Sequence, residues 1–229
     1  SVTVNHMSDI QPGEYETINT TVENTEDDTV GYISAELSAC LFGQISPQSE
    51  TLRHIAAHIQ NMPHMQTIYT PTKLTSPYDI TDRQAFDLYI NGYGRDLTAF
   101  SSFAALLALM RARGAIIRTN IIGTARDAAG LLAILGTPGF RIMYESATLV
   151  PYTSACQRNL GFVGPSSIRP TNSEIEYIRS IYKKNTKLSN DEITDMMQNS
   201  QPITATQCLK HGLCDWILQN NGKMRGRHR

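Results

Sequence analysis

Histidine is missing from the whole middle of this chain. All six histidines, His6, His54, His58, His64, His211 and His228, lie outside the stretch from 65 to 210. Acid–base chemistry centred there would have to run without an imidazole. No apolar run is long enough to span a bilayer as a helix. Charge of one sign is absent too: the net charge is −1, which excludes a broad attraction to nucleic acid or anionic membrane. The exception is the terminus, where Lys223, Arg225, Arg227 and Arg229 form a Gly-interrupted basic tail that reads as a frayed end. The four cysteines, Cys40, Cys156, Cys208 and Cys214, form no C-x-x-C pair and no ligand-like spacing, so free thiols in a reducing compartment are expected. The chain opens at Ser1 without a signal-peptide pattern. A trimmed initiator Met and a removed targeting segment both remain open.

What is present is strand–helix alternation. At 229 residues and 41% apolar, the chain can bury a core. Residues 1–30 are acidic (Glu14, Glu16, Glu23, Glu26, Asp27, Asp28) and read as a flexible arm. Residues 35–45 read as a strand. Ser46-Pro47 opens a helix with Leu52, Ile55, Ala56 and Ile59 on one face. Residues 63–84 carry Pro63, Pro71 and Pro77 and read as a long inserted loop. A strand over 86–90, a sharp turn over 91–94 and a helix over 97–113 stopped by Gly114 follow. Residues 115–122 are an apolar strand, buried on both faces and closed by Gly123. Asp127–Leu135 reads as a short helix with Asp127 as its cap. Two short strands (140–143, 147–150) and a loop over 153–170 come next. Capping boxes at Thr171/Glu174, Ser189/Glu192 and Thr204/Gln207 open three helices, and 216–218 is the last strand. The pattern predicts an α/β domain with a mainly parallel sheet.

Three segments resemble one known family. Leu88–Gly94, LYINGYG, is similar to the L-Y-I-N-S-P-G-G strand and turn of Clp protease proteolytic subunits. Gly123–Gly139, GTARDAAGLLAILGTPG, resembles their G-x-A-A-S-M-G-A-x-L-L-x-x-G-x-x-G. Ile203–Leu218, ITATQCLKHGLCDWIL, resembles L-S-A-x-E-A-x-x-Y-G-L-V-D-x-I-L. The blocks keep the family order, and the resemblance covers roughly 35–218. It implies a ClpP/crotonase-like fold with a protruding handle helix over 172–186, and a domain over 31–219 between the arm and the tail (220–229).

The resemblance also implies that the catalytic positions are degenerate. The family's nucleophilic serine falls on Asp127, its histidine on Tyr152 and its aspartate on Ser200; its second turn glycine falls on Arg95. Asp127 and Tyr152 are 25 residues apart, the family interval. A serine hydrolase needs a hydroxyl activated by a base that a third group orients. A carboxylate, and a phenol whose ordinary pKa is about 10, do not supply that. An Arg95–Asp127 ion pair filling the site is the alternative to plain capping by Asp127.

The implied role is a triad-less, ClpR-type subunit in mixed rings with catalytic Clp subunits and fed by a Clp AAA+ chaperone. The implied setting is plastid stroma or a bacterial-type cytoplasm. No cofactor, metal, nucleic acid or membrane partner is expected. His54 and His58 have i, i+4 spacing but no third ligand. Ser101 and Ser102 read as packing residues of their helix, Met196 and Met197 as core or rim, and Tyr69, Tyr78 and Tyr89 likewise. Three other readings stay open: a hydrolase using Ser154 or Ser200, a crotonase-like acyl-CoA enzyme, and a virus-encoded modulator of a host Clp complex.

Overall fold

The apolar run after Gly114 becomes the middle of a single sheet. The computed structural model describes residues 16–19, 37–45, 50–61, 75–78, 85–153 and 170–227. Within these, the strands are β1 (Glu16–Asn19), β2 (Leu37–Gln44), β3 (Ala85–Tyr93), β4 (Ile116–Arg126), β5 (Arg141–Tyr144), β6 (Thr148–Val150), β7 (Ile203–Thr204), β8 (Trp216–Leu218) and β9 (Met224–Gly226). The helices are α1 (Glu50–Asn61), α2 (Leu97–Ala112), α3 (Ala128–Ile134), α4 (Asn172–Asn185), α5 (Asn190–Asn199) and α6 (Ala205–His211). Sheet order is β1-β2-β3-β4-β5-β8-β9; β2, β3, β4, β5 and β8 are parallel, and antiparallel β1 and β9 form the edges. The expected mainly parallel α/β architecture is the observed one.

Side-chain caps open α2, α4, α5 and α6. Asp96 accepts from Thr98 N (2.8 Å) and Ala99 N (3.0 Å) to start α2, which buries Ala99, Phe100, Phe103, Leu107 and Met110 at helical spacing. All three capping boxes form, and Gly212 ends α6 at φ 75°. α4 seats Ile178, Ile181 and Tyr182 in the core and leaves Tyr177 exposed. Met197 is buried and Met196 packs against the core. Cys208 and Cys214 are buried free thiols. Ser102 Oγ donates to Thr98 O (3.1 Å) within α2.

Several expectations are corrected. Residues 91–93 are no turn: Asn91, Gly92 and Tyr93 stay in β3, paired with Phe42, Gly43 and Gln44, and only Gly94–Asp96 is a loop. Nor does Gly123 close β4, which runs on to Arg126. The reason is a register shift between Ile90 and Gly92. Asn91 Oδ1 accepts from Thr124 N at 3.0 Å, and a Cβ at position 123 would lie 2.2 Å from that oxygen, so glycine is required by the close approach. Before the shift β4 pairs with β5 (119–121); after it, β4 pairs with β6 (124–126). That bend aims the end of β4 at the site described below.

The terminus is a further correction. Trp216–Leu218 is not the last strand, and the basic tail is not frayed through 227. Met224–Gly226 pairs antiparallel with β8. Arg227 donates to Leu209 O and Cys214 O at 3.1 Å each. Within the acidic arm, Glu16–Asn19 is a strand on β2. The rest of the arm, Ser46-Pro47, most of the 63–84 insertion, the loop over 154–169 and the side chains of His54 and His58 lie outside the described residues.

Charges also enter the sheet. Arg118 on β4 donates to both carboxylate oxygens of Asp87 on β3 (2.9 and 2.6 Å), and both are buried. Asp215 accepts from Gly139 N (2.8 Å), Arg141 N (3.1 Å) and Arg141 Nε and Nη2 (2.9 and 3.0 Å). Burial acts to raise the Asp215 carboxyl, but these donors and the Arg141 charge outweigh it and hold it below the usual aspartate range. A group so depressed contributes stability above its unfolded pKa and loses it as pH falls through the folded value. Asp215→Asn is therefore expected to cost about 1.5–3 kcal/mol at pH 7. In urea titrations the gap to the wild type should close below about pH 4; a gap constant with pH would contradict the assignment.

Candidate functional site

The site is built where β4 breaks into α3. Asp127 sits between Arg126, the last residue of β4, and Ala128, the first of α3, at φ 53° and ψ −118°. This is positive-φ backbone that a non-glycine residue adopts at a cost of order 1–3 kcal/mol. A strained strand–turn–helix elbow is the geometry that presents a nucleophile in hydrolases built on such turns. The elbow is held by Asp127 N donating to Val150 O (3.0 Å) and by α3, whose residues are all buried. Elbow backbone is kept; the side chain on it is a carboxylate.

Capping by Asp127, the plainer expectation, is not what forms: its side chain makes no cap hydrogen bond. The alternative forms instead. Arg95 Nη1 donates to Asp127 Oδ1 at 3.1 Å, and Arg95 Nη2 donates to Thr153 O at 2.9 Å. The guanidinium carbon lies 4.4 Å from the Tyr152 ring centroid, a cation–π contact. Tyr152 OH donates to Arg95 O at 2.8 Å, and Thr153 N points to Asp127 Oδ1 at 3.4 Å. One arginine thus ties the loop after β3, the elbow and the segment after β6.

Electrostatics follow from burial. Asp127 is 7% exposed. Burial pushes its carboxyl above the ordinary aspartate value, and the charges of Arg95 and Arg126 with the Thr153 amide only partly pull it back. Burial likewise pushes the Tyr152 phenol up to about 12, so it stays protonated and acts as a donor. Tyr182 OH accepts from Tyr152 N (3.0 Å), and burial raises that phenol as well.

The structure brings together Arg95, Asp127 and Tyr152 as the sequence placed them. It does not join Ser200 to them: Ser200 is the left-handed C-cap of α5 (φ 47°), and its buried Oγ has no hydrogen-bond partner among the described residues. Thr153, Tyr182 and the Gly94 carbonyl were missed. Gly94 O accepts from Ala128 N at 2.8 Å. The amide following an elbow nucleophile is an oxyanion donor in such enzymes, and here it is already engaged. Tyr182 lies on the buried face of α4 with Ile178 and Ile181, and nothing in the sequence marks its hydroxyl as an anchor.

Among the described residues, Tyr152 OH is engaged as a donor to Arg95 O, Tyr182 OH as an acceptor from Tyr152 N, and Ala128 N as a donor to Gly94 O. Among the described residues, no histidine is hydrogen-bonded to Asp127, Tyr152 or Arg95.

Comparisons with known proteins agree with this architecture. The family model described as Clp protease matches residues 79–221. The ATP-dependent Clp protease proteolytic subunit 2 of Leifsonia xyli subsp. xyli (strain CTCB07) is 26% identical over 135 residues, 57% of this chain and 59% of that protein. The match therefore spans less than two thirds of that relative's length. Among solved structures, a peptidase from Plasmodium falciparum is similar at 18% identity and TM-score 0.54, over 79% of this chain and 94% of that one. A second structure, described as an enzyme, aligns with the same coverage and TM-score at 19% identity. These two likenesses carry the fold and nothing further.

Proposed function

The chain belongs to the Clp protease family, and from that membership we propose that it is a non-catalytic subunit with a structural or regulatory role in a Clp proteolytic assembly. The observation that carries the reading is the ion pair at the elbow. Asp127 stands where a hydroxyl nucleophile would, bound to Arg95 at 3.1 Å, with a protonated Tyr152 beside it in place of a base. Acyl transfer through a serine needs the hydroxyl, the base and the oxyanion donor together. Each of those positions is here occupied by a group committed to another partner.

In this reading the subunit supplies surface and not chemistry. Its partners are catalytic Clp-type subunits in mixed rings and a Clp AAA+ chaperone. The free thiols of Cys208 and Cys214 are compatible with a reducing compartment such as plastid stroma or a bacterial-type cytoplasm.

A second reading, a hydrolase using Ser154 or Ser200, is disfavoured at Ser200 by its unpartnered hydroxyl, since an activated serine needs a hydrogen-bonded base. Ser154 lies outside the described residues. The test uses the full chain, alone and mixed with a catalytic Clp subunit, exposed to a fluorophosphonate and analysed by native mass and peptide mapping. Co-assembly is expected, with label on the catalytic subunit only. A labelled serine on this chain, or no mixed species at any ratio, would count against the proposal.

A further inference from the structure

One corner of the molecule gathers unpaired cations from three separate elements. The last turn of α4 carries Lys183 and Lys184, and the last turn of α6 carries Lys210. The two helix ends are joined by Lys187 N donating to His211 O at 2.9 Å. β9 closes over the same place. Arg225 Nη2 reaches Thr206 Oγ1 on α6 (3.4 Å), one turn before Lys210 on the same helix face. A Cβ at Gly212 would lie 3.0 Å from Lys187 Cγ and 3.2 Å from Arg227 Nη2, so those two side chains flank the glycine.

The carboxylates nearby are committed. Asp215 is held by Arg141 and Arg227, and Glu192 closes the capping box of α5 while facing Lys210 and His211. Among the described residues, no carboxylate forms an ion pair with Lys183, Lys184, Lys187, Lys210 or Arg225. All five are exposed.

Compensation of helix dipoles accounts for Lys183, Lys184 and Lys210. It does not account for Lys187, which lies between α4 and α5, or for Arg225, which is on a strand. A cluster of like charges only partly offset, here by Glu192 facing Lys210, costs stability through self-repulsion. It is suited to a ligand bearing several carboxylates at once. The chain as a whole carries −1, so it lacks the broad positive field that phosphate-backbone binding uses.

We propose that this corner, where the C-termini of α4 and α6 meet β9, is a docking surface for an acidic peptide segment of a partner protein. The inference stands apart from the site at Asp127 and does not rest on its lack of chemistry.

The test uses the full chain and a fluorescently labelled acidic peptide, TTVENTEDDTV, copied from residues 20–30 of the sequence. Fluorescence anisotropy is expected to show binding that weakens steeply as salt rises, since the Debye length falls from about 30 Å at 0.01 M to about 8 Å at 0.15 M. The version with Asn and Gln in place of Asp and Glu should not bind. Lys183→Glu, Lys184→Glu and Lys187→Glu together should weaken binding at least tenfold. So should the separate pair Lys210→Glu and Arg225→Glu, which guards against a folding defect in either variant. No binding of the acidic peptide, or binding indifferent to both sets of reversals, would overturn the proposal. So would a preference for a single-stranded oligonucleotide of equal charge.

Discussion

Asp127→Ser alone leaves peptide hydrolysis at background. The substitution restores a hydroxyl to a strained elbow, but three further requirements remain unmet. Tyr152, pushed up to about 12 and donating to Arg95 O, cannot take the hydroxyl proton at neutral pH. Ala128 N is spent on Gly94 O at 2.8 Å and is not free for an oxyanion. The Arg95 guanidinium fills the space between the elbow and Thr153. Members of such a constellation act as a unit: in a serine protease, loss of one costs about as much as loss of all, a factor of about 10⁴–10⁶ in kcat. Adding Tyr152→His gains little while Ser200 leaves the imidazole unoriented. Combining Arg95→Gly, Asp127→Ser, Tyr152→His and Ser200→Asp is expected to stay near background too, read with a fluorogenic peptide and a fluorophosphonate label, because Ala128 N remains bonded to Gly94 O and position 200, at the end of α5, is not joined to the cluster. Hydrolysis by Asp127→Ser alone, at a rate comparable to a catalytic Clp subunit, would show that the site is only one residue from working and would defeat the structural reading.

What could be read in advance follows from how local each signal is. Capping boxes and the Gly212 stop are decided within four residues, so Thr171, Ser189 and Thr204 open their helices as the sequence says. The apolar run 115–121 is likewise its own evidence for a buried strand. The register shift between Ile90 and Gly92 is not, because it depends on Asn91 reaching across to Thr124 in a register no local pattern states. Arg118 and Asp87 each look out of place in an apolar strand. They are buried only because parallel pairing puts them side by side. β9 was hidden for a similar reason: Met224–Gly226 is too short and too basic to read as a strand until β8 is beside it. At the site, the resemblance located Asp127, Tyr152 and Arg95, whereas Thr153, Tyr182 and Gly94 contribute backbone atoms or a hydroxyl that no motif records.

Arg95 and Asp127 should respond very unequally to removal. Taking both charges out of water costs more than their attraction returns when the pair is buried, and a carboxyl raised above its ordinary value is the signature of that excess. Removing the arginine alone is worse still. Arg95→Ala removes from Asp127, 7% exposed, the guanidinium at 3.1 Å, leaves it the Thr153 amide at 3.4 Å, and strips the Tyr152 ring of its cation and Thr153 O of its partner. Loss of one member of a buried pair costs about 3–5 kcal/mol. Asp127→Asn keeps the shape and an oxygen for Arg95, so its cost should stay below about 1 kcal/mol. The pH dependence gives the sign. Asp127 holds its proton more tightly folded than unfolded, so its contribution to stability is fully present below the unfolded value, about pH 4, and is lost as pH rises through the raised folded value. The Arg95→Ala penalty should therefore shrink as pH is lowered from 7 towards 4, a higher window than the one in which the Asp215→Asn gap closes. In the Asp127→Asn background the same substitution should lose most of its cost at every pH, because no unpaired carboxylate remains. Urea midpoints for the wild type, both single variants and the double variant at two pH values complete the cycle. Equal costs for the two single substitutions would mean that the pair is solvated and that Arg95 does not hold the site shut.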